Sequence, residues 1–170
     1  MFETLVGQKS LKKKLQFYKE SCDVTQKMPF LFFVGAKGLG KTEFAKQLAK
    51  EIRNTDGSRR PFLEINCASL RNIRQFFNNV VIPHMVDKDI TILFDEASEM
   101  PRDLEMGLLT ILNPNKNHRN EFSVDDYVVD FDFRRHTFMF ATSEPHKVFH
   151  ALMDRLDRID LEEYKNDEHI

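Results

Sequence analysis

The chain has 170 residues, a formal net charge of −2, 41% hydrophobic and 31% charged residues. That length suits one domain with a sizeable core, and that balance argues against a disordered chain or a wholly basic nucleic-acid footprint. The longest apolar run is far too short to cross a bilayer and no secretory signal is visible, so no membrane association is expected. Two cysteines, Cys22 and Cys67, argue against a disulfide framework and fit a reducing cytoplasm, the expected location.

Residues 8–20 read as an amphipathic helix with Leu11, Leu15 and Tyr18 on one face. A buried strand near 30–34 precedes a helix near 41–53, whose apolar face is Phe44, Ala45, Leu48 and Ile52. After a turn at Asn54-Thr55-Asp56-Gly57-Ser58 comes a second strand, Phe62-Leu63-Glu64-Ile65, and then a helix candidate over 69–79. The third strand, Ile90 to Phe94, ends in Asp95-Glu96, and a helix over 101–112 opens with a proline. A polar loop over 113–120 leads into a hairpin over 122–133, a fourth strand over 137–141 and a fifth over 159–161. Strands alternating with helices predict an α/β fold with a mainly parallel, five-stranded sheet. Sixteen phenylalanines and no tryptophan predict a Phe-rich core.

The most specific motif is Gly35-Ala36-Lys37-Gly38-Leu39-Gly40-Lys41-Thr42, a full G-x-x-x-x-G-K-[ST] phosphate loop between a strand and a helix. Its glycines permit backbone turns that aim successive N–H groups at an anion, and the helix start adds its positive end. Lys41 has the reach for the outer phosphates and Thr42 the hydroxyl for Mg²⁺. Asp95 and Glu96 stand at the carboxyl end of a strand, the ligand edge of open α/β sheets. One acid there suits Mg²⁺ and a second suits activation of water. Thr142-Ser143 ends the fourth strand at the same edge, though such a pair is usually only a turn. Arg155 and Arg158 by themselves read as surface arginines. The basic clusters Lys12–Lys14, Arg59-Arg60 and Arg134-Arg135 read as solvated surface, and the spacing of His146 and His150 lacks a third zinc ligand.

The order Leu5-Val6-Gly7-Gln8, Gly35–Thr42, Ile92 to Ala97, Phe140 to Ser143 and Leu152 to Arg155 resembles an AAA+ ATPase, and within that class the hexameric RuvB branch-migration motors. The resemblance runs from Glu3 to about Tyr164. It implies a P-loop NTPase fold that binds ATP and Mg²⁺. Lys41 would contact the β- and γ-phosphates, with Thr42 and Asp95 on the Mg²⁺ side. Glu96 would be the base for the attacking water, and Ser143, in preference to Thr142, the sensor hydroxyl. Arg155 would act in trans on a neighbouring subunit. Gly35, Lys37, Gly38, Leu39, Gly40 and Glu43 would surround the phosphates, and Val6, Gly7 and Tyr164 the adenine.

The same resemblance implies a ring, expected to be a hexamer that is weak for this domain alone, and a RuvA-like partner at the hairpin 121–133. Residues 1–170 would be the large nucleotide-binding domain, with the lid and the DNA-binding winged helix missing. Lys37 stands where such loops usually carry proline, and the stretch 101–120 follows the RuvB pattern loosely. The expected function is an ATP-hydrolysing motor of DNA branch migration. The alternative is a clamp-loader or helicase-loader ATPase, and a non-hydrolysing scaffold has no use for Glu96 or Arg155.

Overall fold

The computed structural model describes residues 9–25, 27–113 and 117–162; Val6, Gly7 and Tyr164 lie outside them. In chain order the elements are α1 (Lys9–Thr25), β1 (Leu31–Val34), α2 (Lys41–Glu51), β2 (Phe62–Asn66), α3 (Ile73–Phe76) and β3 (Ile90–Asp95). Then follow α4 (Arg102–Ile111), β4 (Arg119–Val124), β5 (Tyr127–Asp132), β6 (His136–Thr142), α5 (His150–Met153) and β7 (Asp157–Asp160). Five strands form one sheet in the order β2-β3-β6-β1-β7, with every pairing parallel. β4 and β5 form a separate antiparallel hairpin.

The central strands β1, β3 and β6 are buried on both faces, as parallel strands covered by helices must be, while the edge strands β2 and β7 are largely open. The period-2 alternation divides the core in two. Leu31, Phe33, Leu93, Met139, Ala141 and Ile159 face α1 and α2, where Leu11, Leu15, Phe44 and Leu48 cover them. Phe32, Val34, Ile92, Phe94, Phe138 and Phe140 face the other way, against Phe76, Phe77, Leu104, Leu108 and the hairpin's Val129 and Phe131. The Phe-rich core is real: the Phe94 and Phe140 rings stack with centroids 4.9 Å apart and planes 12° apart. Each fully buried phenylalanine contributes about 2–3 kcal/mol of burial free energy.

Several boundaries differ from the sequence reading. α1 runs on to Thr25, and β7 begins at Asp157, whose amide donates to Phe30 O at 2.8 Å. The helix expected over 69–79 is broken and displaced. A 3₁₀ turn covers Cys67–Ser69, and α3 starts only after Asn72, whose side chain accepts the Gln75 amide at 2.8 Å as an N-cap. From Phe77 to Met85 the chain winds as a π-helix that includes Pro83. The Val86 amide reaches back five residues to Val81 O at 3.0 Å, the wider turn that a stretch of Val80-Val81-Ile82-Pro83 accepts in place of α-geometry. His146 lies in a 3₁₀ turn and His150 opens α5, so the two do not share one helix.

The π-helix ends against a buried histidine. His136 Nε2 lies 2.8 Å from Met85 O and 3.0 Å from Lys88 O, while Nδ1 accepts the Asp132 amide at 3.3 Å. Nε2 therefore carries the proton and the ring is neutral. Burial pulls its pKa below the ordinary 6.5; the Met85 and Lys88 carbonyls oppose this, Arg135 adds to it and Asp132 opposes it. A depressed histidine contributes stability that is whole above the unfolded value and is lost as pH falls through the folded one. The unfolding midpoint in urea is expected to drop between pH 7.5 and 5.5, and His136→Gln is expected to show a smaller drop; an equal drop in both proteins would show that His136 is not the group responsible.

Candidate functional site

The carboxyl ends of β1, β3 and β6 meet at one edge of the sheet. Their register sets Val34 opposite Thr142 and Asp95 opposite Ala141, and the Gly35 amide donates to Thr142 O at 3.3 Å. The phosphate loop therefore begins beside the end of β6, one strand away from the acids of β3.

Within the loop, Gly38 and Gly40 hold φ of 84° and 90°, the left-handed region that glycine enters without strain. Gly40 caps α2, and its carbonyl accepts the Phe44 amide at 2.9 Å as the first helical bond. Gly35 is needed for close approach, since a Cβ there would sit 3.0 Å from Leu161 Cβ. Leu39 is buried and anchors the loop in the core beneath α1 and α2, while Ala36, Lys37 and Gly38 are exposed. Glu43, in the first turn of α2, is exposed as well.

Lys41 is 8% exposed, and its Nζ donates to Gly35 O at 2.7 Å and Ala36 O at 3.0 Å. Burial lowers its pKa, Glu96 and Asp95 pull it back up, and Lys37 adds to the lowering. Among the described residues the ammonium makes no salt bridge; it is a desolvated cation held by neutral carbonyls. Thr42 follows it, half-buried, in the first turn of α2.

Asp95 ends β3, and its Oδ1 accepts the Glu96 amide at 3.0 Å. Glu96 adopts left-handed backbone, φ 51° and ψ 61°, at a cost of about 1–2 kcal/mol for a residue with a Cβ. That turn ends the strand and sets the Glu96 carboxylate toward β6, where Ser143 Oγ lies 3.4 Å from its Oε1. Thr142 is different. It is fully buried, and its Oγ1 accepts the Glu144 amide at 3.0 Å. So of the two hydroxyls, Ser143 faces the acid and Thr142 closes a turn.

Arg155 is not brought to this cluster within the chain. Its Nε donates to Leu109 O at 3.0 Å and its Nη1 to Ala151 O at 3.0 Å, which fixes the half-buried guanidinium between the end of α4 and α5. The edge itself suits a nucleoside triphosphate with a divalent cation. Left-handed glycines with open space about Gly38 suit phosphate oxygens, the lysine carries no competing carboxylate, and Thr42, Asp95 and Glu96 supply hard oxygen ligands.

Residues 31–165 match the family described as ATPase family associated with various cellular activities, AAA. The chain belongs to the AAA ATPases. Lon protease 1 of Hydrogenovibrio crunogenus is 31% identical over 159 residues, which are 84% of this chain and 18% of that protein. The replication factor C small subunit of Methanothermobacter thermautotrophicus is 34% identical over 110 residues, which are 62% of this chain and 33% of that protein. Among solved structures, the Thermotoga maritima RuvB Holliday junction branch migration motor superposes with a TM-score of 0.72 at 19% identity, covering 96% of this chain and 48% of that one. This AAA chain thus spans about half the length of the RuvB structures and about a fifth of the Lon relatives it matches. The fold is the AAA+ P-loop NTPase fold, similar to that of the RuvB structures.

Two acids at the candidate site escaped the sequence reading. Glu99 and Glu144 line the cleft with Ala36, Lys37, Glu96 and Ser143. Glu144 directly follows Ser143, but nothing in its spacing marks an acid after a strand as part of a cleft. The division of labour between the two hydroxyls is testable by urea denaturation. Thr142→Val is expected to cost about 1–2 kcal/mol by leaving the Glu144 amide unpartnered, and Ser143→Ala to stay within about 0.5 kcal/mol of the parent. Equal costs would contradict the assignment.

Proposed function

We propose that this domain is an ATP-hydrolysing subunit of an oligomeric ring whose turnover drives DNA remodelling, in the manner of a RuvB-like branch-migration motor. The observation that carries the hydrolytic reading is the convergence on one sheet edge of the desolvated Lys41 and the facing Glu96–Ser143 pair. In this reading Lys41 neutralises phosphate charge, Thr42 and Asp95 hold Mg²⁺, and Glu96 takes the proton of the attacking water while Ser143 orients it. Bound Mg²⁺ supplies charge neutralisation to the phosphates. Arg155 serves the nucleotide of the adjacent subunit, which agrees with its anchorage on α4 and α5 rather than beside its own phosphate loop.

The likeness of fold to the RuvB chains supports the DNA-directed part. Residues 1–170 then form the large nucleotide-binding domain, and DNA is engaged through a domain other than this one. The ring, as a hexamer, is weak for this domain alone. A RuvA-like partner would meet the hairpin, where Tyr127 and Val128 are 49% and 67% exposed. Among the described residues no helix is long and apolar enough to cross a membrane, and we place the protein in the cytoplasm. A second reading, a clamp-loader or helicase-loader ATPase, is favoured by the identity with the archaeal replication factor C small subunit.

Glu96→Gln tests the hydrolytic reading. The variant is expected to bind ATP within about two-fold of the parent and to lose at least about 100-fold in turnover, as removal of a general base does. Phosphate release and equilibrium binding measure the two, and equal turnover in variant and parent would overturn the role given to Glu96.

A further inference from the structure

α4 follows the acidic end of β3, and α5 leads directly to Arg155. Three positions of α4, at i, i+3 and i+7, lie along one helix face and reach the Phe149–Arg155 segment. The Arg102 guanidinium carbon lies 3.6 Å from the centroid of the Phe149 ring. Glu105 Oε2 accepts the Phe149 amide at 2.7 Å, and Phe149 is the residue that precedes the first turn of α5. The Leu109 carbonyl, one of those a helix end leaves without an intrahelical donor, accepts Arg155 Nε at 3.0 Å.

Glu105 is the member that needs explaining. Its residue is only 7% exposed, and burying a carboxylate is costly unless it has work to do. Burial raises its pKa, against the Phe149 amide and Arg102, which favour the charged form. A neutral side chain would serve to fill the space. The charged acceptor instead makes a short, strong bond to the start of the segment that carries Arg155. The link back to the site is also short. Only the 3₁₀ turn Ala97–Glu99, Met100 and Pro101 separate Glu96 from α4, and Ala97 and Met100 are buried at 2% and 5%. The Glu96 turn, α4 and Phe149 are thus joined by a short, buried path.

We propose that Glu105 is a positioning residue for Arg155: by pinning Phe149 to α4 it holds α5 and the guanidinium in fixed relation to the helix that leaves Glu96. The proposal rests on the reading of Arg155 as the arginine that serves a neighbouring subunit.

The test uses the full chain in four forms: parent, Glu105→Leu, Glu105→Gln and Arg155→Ala. Leu keeps the buried volume without a charge and so retains the fold. Hydrogen exchange of amides 149–155, urea stability, ATP binding and turnover under associating conditions are measured together. In Glu105→Leu these amides are expected to exchange about ten-fold faster and turnover to fall toward that of Arg155→Ala. Its ATP affinity is expected to stay within about two-fold, and its global stability to fall modestly because the Phe149 amide loses its acceptor. Glu105→Gln, which keeps an acceptor oxygen, is expected to restore both exchange and turnover. Parental exchange in Glu105→Leu, or a Gln variant as impaired as the Leu variant, overturns the proposal. Parental turnover in Arg155→Ala overturns the reading of Arg155 beneath it, an outcome distinct from either of those.

Discussion

Lys41 is a cation taken out of water and, among the described residues, given two backbone carbonyls to hold it, at 2.7 and 3.0 Å. Leaving a charge in that state costs free energy, and the structure around it keeps the cost in place. Leu39 roots the loop in the core, Gly40 turns the chain into α2, and Phe44 and Leu48 tie α2 to the sheet. Asp95 and Glu96 pull on the ammonium from across the edge without pairing with it. A dianionic or trianionic phosphate meets a site whose positive groups are already oriented, so little reorganisation accompanies binding.

The parallel sheet is what puts these groups within reach of one another. Three strands end at a common edge because register pairs β1 with β6 and β6 with β3, and each end carries a different chemistry. The glycine loop follows β1, the acids follow β3 and the hydroxyl follows β6. The left-handed Glu96 is the joint between them, since its turn both directs the carboxylate toward Ser143 and starts the path to α4. Strain of that kind is tolerated because the buried strand β3 precedes it and the buried Ala97 follows it.

The phosphate loop was legible because its chemistry is local: eight consecutive residues carry the turn, the cation and the hydroxyl. The strands were legible because apolar runs of four to seven residues with buried faces leave a strong composition signal. Choosing Ser143 over Thr142 rested on resemblance; in the fold Ser143 Oγ faces Glu96, and Thr142 Oγ1 accepts the Glu144 amide. What the sequence hid depends on distant partners. The π-helix over Phe77–Met85 was missed because a helical apolar pattern does not report i→i+5 bonding. Glu105 carries no motif, and its role shows only where its buried carboxylate accepts the amide of the distant Phe149. α5 spans four residues, too few for a periodic signal.

The measurement that bears most directly on the role of Lys41 is calorimetric titration of the intact chain, and of Lys41→Ala, with ATP, ADP and AMP in the presence of Mg²⁺. If the desolvated ammonium is held for outer phosphates, the parent binds ATP and ADP at least about ten-fold more tightly than AMP, and the variant loses that preference. Equal affinities for ATP and AMP in the parent, or an undiminished preference in Lys41→Ala, would contradict it.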